Sequence, residues 1–340
     1  MSEVITLAHG SGGKAMDALI RSLFVETFAN PQLSAMEDQA RFDLAALAGH
    51  GNRLAFTTDS YVVDPLFFPG GDIGKLAVTG TVNDLAVGGA TPLYLSCGFI
   101  IEEGLAVDTL RQVVQSMQAT ADEAGVSIVT GDTKVVHRGA CDKLFINTAG
   151  VGVIPHGVDI SAAAARPGDV ILVNGYLGDH GAAIVDARGE LALQNTIASD
   201  CQPLNGLVAR MLQVCPDIRC MRDATRGGLA TVLNEFAHAS DCAINVRESL
   251  LPVRPEVRGM CEILGLDPLY LANEGKLVAV VPETAADALL AVMRDHPAGR
   301  HSAQIGRVMA SPKGTLLMTT NFGSQRIVDR LVGEQLPRIC

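Results

Sequence analysis

Apolar residues recur along the chain at two spacings, and the alternation between them predicts the elements. Ile73, Leu76, Ala77 and Gly80 fall on one helical face, which predicts a helix over 72–90 that Gly88-Gly89 brings to an end. Asp84 continues the same series, and a carboxylate on an apolar face is costly without a partner. Leu110, Val113, Val114, Met117 and Ala121 predict a second helix, with Asp108 as its N-cap and Gly125 as its stop. Further helices are expected over 16–28, 178–188, 203–214, 254–264, 285–294 and 324–332, and from Leu229 to about Ala239.

Short apolar runs predict strands at 92–101, 126–130, 144–153, 169–174, 242–246, 276–281, 302–309 and 314–319, and a buried strand at 53–58. Asp59 is expected just past the end of the 53–58 strand, and Gly131-Asp132-Thr133 as a turn after the 126–130 strand. Several connections have hairpin length, which favours an α+β fold over a purely parallel sheet. The Ala162–Ala165 run and the Arg166-Pro167-Gly168 turn place a domain boundary at 155–168.

Composition narrows the partners. With 340 residues, 48% of them hydrophobic and 19% charged, the chain is long enough for two cores. A formal net charge of -11 and the absence of a basic run argue against nucleic acid, leaving small molecules and proteins. There is no basic and apolar leader and no apolar run long enough to span a bilayer, so no membrane association is expected and the cytosol is the expected compartment. Eight cysteines without a C-x-x-C pair read mostly as small buried hydrophobes, and Cys215 and Cys220 are too loosely spaced for a zinc motif. Cys340 differs, because the last residue has little packing to do. With Pro337 keeping Leu336 out of a helix and Arg338 nearby, the tail reads as an extended arm with a reactive tip.

The remaining polar punctuation concerns phosphate. His9-Gly10-Ser11-Gly12-Gly13-Lys14 precedes a helix, so its backbone N–H groups are placed either to cradle an anion or to form a flexible loop. The spacing does not fit a P-loop. Asp223, followed by Arg226, Gly227 and Gly228, repeats the arrangement at a second helix entrance. Asp59, Asp84, Asp132 and Asp223 with two such cradles suggest a nucleoside triphosphate held through Mg²⁺.

Those stretches, with Thr57-Thr58-Asp59-Ser60 and Val82-Asn83-Asp84-Leu85, resemble the ATP-binding superfamily of aminoimidazole ribonucleotide synthetase, selenophosphate synthetase and thiamine-monophosphate kinase. The ending Pro337-Arg338-Ile339-Cys340 looks most like the HypE family of hydrogenase maturation carbamoyl dehydratases. The resemblance implies a two-domain PurM-like α+β fold. Its expected parts are an N-terminal segment 1–42, an ATP-binding and dimerisation domain 43–155, a C-terminal α+β domain 156–320 and a tail 321–340.

It also implies a homodimer with ATP and Mg²⁺ as cofactors. A HypF-type carbamoyltransferase would load Cys340, and a HypC and HypD complex would receive cyanide on its iron after the S-carbamoyl group is dehydrated to a thiocyanate. Asp59, Asp84 and Asp223 would hold the metal. His9 to Lys14, Asn83, Gly131, Asp132, Thr133, Arg226, Gly227 and Gly228 would hold ATP. Lys134 would stabilise charge on the transferring group, and Glu274 would be the base for the N–H protons. His180 and Asn174 are expected in the pocket wall. A small-molecule kinase or synthetase of the same superfamily, and a nucleotide-gated thiol carrier without chemistry, are the alternative readings.

Overall fold

One helix that is apolar almost all round lies between two sheets and carries the acidic motif to their junction. The computed structural model describes residues 3–189, 197–331, 333, 336 and 338–340. After α1 (Lys14–Leu19), which continues helically to Phe28, the first sheet contains β1 (Arg53–Tyr61), β2 (Thr91–Glu102), β3 (Ser127–Val136) and β4 (Leu144–Ile154). The strand order is β1-β4-β2-β3. The two pairs that include β4 are antiparallel, while β2 and β3 are parallel. A parallel pair needs a crossover. It is supplied by the amphipathic helix over Val107–Ala124, whose Leu110, Val113, Val114 and Met117 face the core.

The central helix, α2 (Ile73–Val87), starts where Asp72 accepts hydrogen bonds from the amides of Gly74 and Lys75 at 2.7 and 3.1 Å. Burial on nearly every side marks it as an interior helix. A side chain at Gly80 would collide with the Tyr61 hydroxyl, so glycine lets β1 and α2 approach. The crossover helix, α3 (Val107–Ala124), ends at Gly125 in the left-handed region, φ 69°.

The second sheet contains β5 (Val170–Val173), β6 (Cys220–Asp223), β7 (Ala243–Arg247), β8 (Leu277–Val281), β9 (Ala303–Met309), β10 (Thr315–Thr319) and β11 (Gln325–Ile327), in the order β11-β10-β7-β9-β5-β8-β6. Its helices are α4 (Asp179–Ala187), α5 (Asn205–Val214), α6 (Gly228–Ala239), α7 (Pro255–Leu264) and α8 (Ala286–Asp295). The period of two in β8 divides the interior. Val278 and Val280 join the core under α6 with Leu233 and Phe236, whereas Leu277, Ala279 and Val281 join the core under α5 and α8 with Met211 and Met293. Ala86 and Val87 at the end of α2 enter this second core and lock the two sheets together.

The α+β reading holds, and several local expectations do not. β1 is not buried. It alternates, and its open face exposes Leu54 (63%) and Phe56 (71%). Asp59 lies within β1, and Gly131-Asp132-Thr133 lies within β3 instead of a turn, because their backbones pair with the neighbouring strand. The N-cap of α3 is Ala106, with Asp108 in its first turn. The stretch expected to be helical over 324–332 instead contributes β11, paired with β10, although Val332 lies outside the described residues. No helix among the described residues is long and apolar enough to cross a membrane.

Candidate active site

The last residues of the chain, expected as an exposed arm, are folded inward. Val328 is buried and its carbonyl accepts from Asn234 Nδ2 at 3.0 Å, while Tyr270 Oη donates to the Asp329 carbonyl at 2.8 Å. Beyond this anchor the chain returns to β1. The Cys340 carbonyl accepts from Val62 N at 3.1 Å and the Arg338 carbonyl from Asp64 N at 3.4 Å, the register of an antiparallel ladder. Arg188 Nη2 also donates to the Arg338 carbonyl, at 2.9 Å, and His180 contacts the Ile339 carbonyl at 2.8 Å. Ile339 is buried in the first core. Pro337 lies outside the described residues, so its expected effect on Leu336 does too.

The tail arches over a cavity of about 330 Å³ walled by Ser60, Val62, Arg226, Gly227, Tyr270 and Ala272, with Cys340 among its own lining residues. The cation near the thiol is Arg226; Arg338 instead turns to Asp142 and the Val62 carbonyl. Behind this lining stands an acidic group, of which Glu274, Asp59 and Asp223 are near enough to act on the thiol. Asp59 comes from β1, Asp84 from α2, Asp223 from the end of β6 and Glu274 from the loop before β8. Asp84 is oriented by Thr57 Oγ1, which donates to it at 2.8 Å. At the entrance of α6, Gly227 and Gly228 adopt φ of 74° and 58°; a Cβ at Gly228 would meet the carbonyls of Leu269 and Leu271 at 2.5 and 2.6 Å.

Glu274 is fully buried, and its Oε1 has no hydrogen-bond partner. Its backbone is held tightly. Asp200 accepts from Glu274 N at 3.1 Å, Gly275 N at 3.2 Å and Lys276 Nζ at 2.8 Å. Burial pushes Asp200 up, but Lys276 leads the groups that hold it below the usual carboxylate range. Asn83 closes the same loop, donating to the carbonyls of Gln202 and Glu274 and accepting from Leu204 N at 2.7 Å. Asn174 is used in a similar way on Gly275, Ala298 and Leu277.

The electrostatics follow from putting acids together out of water. Burial, then repulsion from Asp84, pushes Asp59 up to about 6, and burial and Asp84 push Asp223 up to about 7. Burial and the charges of Asp223 and Asp200 raise Glu274 well above its ordinary value. Burial and Glu274 push the Cys340 thiol up to about 12, so the inward thiol is neutral and unreactive. Such a group of oxygens calls for a cation. Among the described residues, no three histidine, cysteine or carboxylate side chains stand close enough to hold a metal ion by themselves. Mg²⁺ usually takes only one or two carboxylates besides phosphate and water. Asp59, Asp84 and Asp223 offer carboxylate oxygens of the kind Mg²⁺ takes one or two at a time beside phosphate.

The raised carboxyls make the cation-free protein sensitive to pH. Asp223 moves from 3.8 to about 7, so between those values the folded state holds a proton that the unfolded state has released. Stability then falls as pH rises across that window. Asp223→Asn removes the penalty. Its melting temperature without divalent cations is expected to exceed that of the native protein, by a margin that grows from pH 5 to pH 8. A thermal unfolding series checks this, and a margin that does not grow would count against the shift.

The other expected site residues lie on a second surface. Asp132 and Lys134 form an exposed ion pair at 2.6 Å on the open face of the first sheet. They line a depression that shares Ser60 and Val62 with the tail cavity, so the two adjoin through one wall. The glycine-rich loop sits beside β3: a Cβ at Gly10 would lie 2.8 Å from Val135 N, and Gly12 and Gly13 face open space. His9 is buried, and its Nδ1 accepts from Thr6 N at 3.0 Å. Asp59, Asp84, Asp223, Arg226, Glu274 and Cys340 are thus gathered, while His9 to Lys14 and Gly131 to Lys134 lie across the Ser60–Val62 wall. Asp200, Lys276 and Arg188 were not singled out from the sequence.

The two folded halves match the descriptions "AIR synthase related protein, N-terminal domain" over residues 36–154 and "AIR synthase related protein, C-terminal domain" over residues 166–319. Fold and site therefore define a PurM-like enzyme of the AIR synthase related class. Carbamoyl dehydratase HypE of Rhodobacter capsulatus is 60% identical over 338 residues, covering 99% of this chain and 98% of that protein. The crystal structure of a HypE in complex with ATP superposes with a TM-score of 0.93 at 53% identity, covering 98% of this chain and 99% of the other. A HypE–HypF complex superposes at 0.80 with 47% identity, covering 92% and 100%. The chain belongs to the carbamoyl dehydratase HypE family and is an enzyme of hydrogenase maturation.

Proposed function

We propose that the enzyme dehydrates an S-carbamoyl group carried on Cys340 to a thiocyanate at the expense of ATP. The observation that carries this is the thiol seated inside the cavity beside Glu274, with a pKa near 12 that makes the site unsuited to thiolate attack. An uncharged S-carbamoyl group suits the same place. Loading then takes place outside it. Residues 330–340, beyond the Asp329 anchor, span about 36–40 Å when extended, enough to present the thiol to a carbamoyltransferase of the HypF type.

The carbamoyl oxygen attacks the γ-phosphorus of ATP and releases ADP, since oxide is a poor leaving group and phosphate a good one. Two N–H protons are lost as the C–O bond breaks and C≡N forms, so the oxygen departs in phosphate. Glu274, with its bare Oε1, accepts one proton, and the departing phosphate carries the other. Burial does most to keep Glu274 protonated, and neutralising Asp59 and Asp223 would remove part of the repulsion added to it and bring its pKa down toward the range of a base. Mg²⁺ held by one or two of Asp59, Asp84 and Asp223 would offset phosphate charge. Arg226 and Lys134 would face the transferring group from its two sides, with the glycine-rich loop and Gly131–Thr133 on the ATP side. The cyanide would pass to iron on a HypC and HypD type complex. Intact-mass analysis of the carbamoylated protein tests the reading: ATP should remove about 18 Da.

The same reading includes a homodimer built on the open face of the first sheet. Leu54, Phe56 and Ile100 are exposed there, and Phe56 stands opposite Val151 on β4. A face of this kind needs cover. Phe56→Asp is expected to shift the native mass from two chains to one in light-scattering chromatography; an unchanged mass would place the partner contact elsewhere.

A further inference from the structure

The thiol is positioned from the residue before it. Ile339 O lies 2.8 Å from His180 Nε2, and a carbonyl only accepts, so the ring proton is on Nε2. The other ring nitrogen, Nδ1, lies 2.8 Å from Ser199 Oγ. That oxygen also accepts from Cys201 N at 3.1 Å, and with the ring proton on Nε2 and the ring neutral, the serine proton points at Nδ1. The result is one directed chain: Cys201 N–H to Ser199 Oγ, Ser199 O–H to His180 Nδ1, His180 Nε2–H to Ile339 O. A second ring proton would face the serine and leave the hydroxyl hydrogen without its acceptor. Burial, which outweighs the opposing pull of Asp200, lowers the pKa of His180 and agrees with the neutral form.

The imidazole has nowhere else to turn. It sits in the first turn of α4, fully buried, with the Phe68 ring edge-on at 5.5 Å. Its Nε2 donor is used by the tail, so departure of the tail costs that hydrogen bond. We infer that His180, held in one tautomer by Ser199, is a positioning residue that fixes the inward tail and sets Cys340 against Glu274. This rests on the dehydration reading for its kinetic consequence. Its structural consequence, a tail held in, does not.

The test separates the two half-reactions. Carbamoylated native protein, His180→Ala, His180→Gln and Ser199→Ala are mixed with ATP in single turnovers and followed by intact mass, and loading by the carbamoyltransferase is timed in parallel. Loss of one buried hydrogen bond should slow water loss in His180→Ala by about 10- to 100-fold. Loading should be unchanged or faster. His180→Gln keeps a donor and should recover part of the rate, and Ser199→Ala should show a smaller loss. Alkylation of Cys340 in the nucleotide-free protein, read by peptide mass, should be faster in His180→Ala. Native rates of water loss or of alkylation in His180→Ala would overturn the inference, as would a parallel fall in loading and dehydration. If the native protein itself loses no water, the dehydration reading fails, and the alkylation rates still decide the role of His180.

Discussion

Replacing Glu274 with glutamine is expected to leave the carrier loaded and stalled. The substitution keeps the shape of the side chain and removes its ability to take a proton. The loop that holds it is fixed by backbone bonds to Asp200, so the fold has no reason to change. Without a cation Glu274 is held protonated in the folded state at a pH where the unfolded chain releases the proton, a cost that glutamine does not carry, so the variant should be the more stable above the ordinary carboxylate range. General-base catalysis is worth about 10²- to 10⁴-fold, and that is the expected fall in the rate of water loss. Carbamoylation of Cys340 should continue, because it takes place with the tail outside. Accumulation of carbamoylated protein in the presence of ATP, followed by intact mass, is the diagnostic result. Dehydration at the native rate would remove Glu274 from the chemistry.

Cys340→Ala is expected to have the larger effect, with no adduct and no thiocyanate. The other cysteines do not substitute for it. Cys97, Cys201, Cys215, Cys220, Cys242 and Cys261 are buried, and the half-buried Cys141 has its thiol raised by burial and by the charges of Glu102 and Asp142, so none presents a ready thiolate to a partner. The variant should still fold, because Ile339 and the carbonyls of Arg338 and Cys340 make the docking contacts. Incubation with carbamoyltransferase and substrate, followed by peptide mapping, checks this; label at any other cysteine would contradict the carrier assignment.

The sequence exposes the site better than it exposes what supports it. Asp84 is legible because a carboxylate interrupts an apolar helical face, and Asp223 because it precedes two glycines at a helix entrance. β1 reads as buried because Leu54 and Phe56 are apolar, yet they line an open sheet face, and composition does not distinguish the two. Gly131-Asp132-Thr133 has turn chemistry but pairs with Cys97, Gly98 and Phe99, and strand pairing overrides local preference. The segment 324–332 has helical spacing, but β10 captures part of it as a strand. Asp200 and His180 depend on partners 74 and 159 residues away, a relation no local pattern contains. The terminal thiol stands out in the sequence, and its inward pose rests on Val62, Arg188 and His180, which carry no motif.

In the proposed reaction the oxygen of the thiol-bound carbamoyl group leaves on phosphate. The most direct measurement uses protein carbamoylated on Cys340 with ¹⁸O in the carbonyl, mixed with ATP in a single turnover. The protein mass should fall by about 20 Da, and one ¹⁸O should appear in the inorganic phosphate released. ATP hydrolysis with the carbamoyl mass intact, or label recovered in water instead of phosphate, would contradict the proposed reaction.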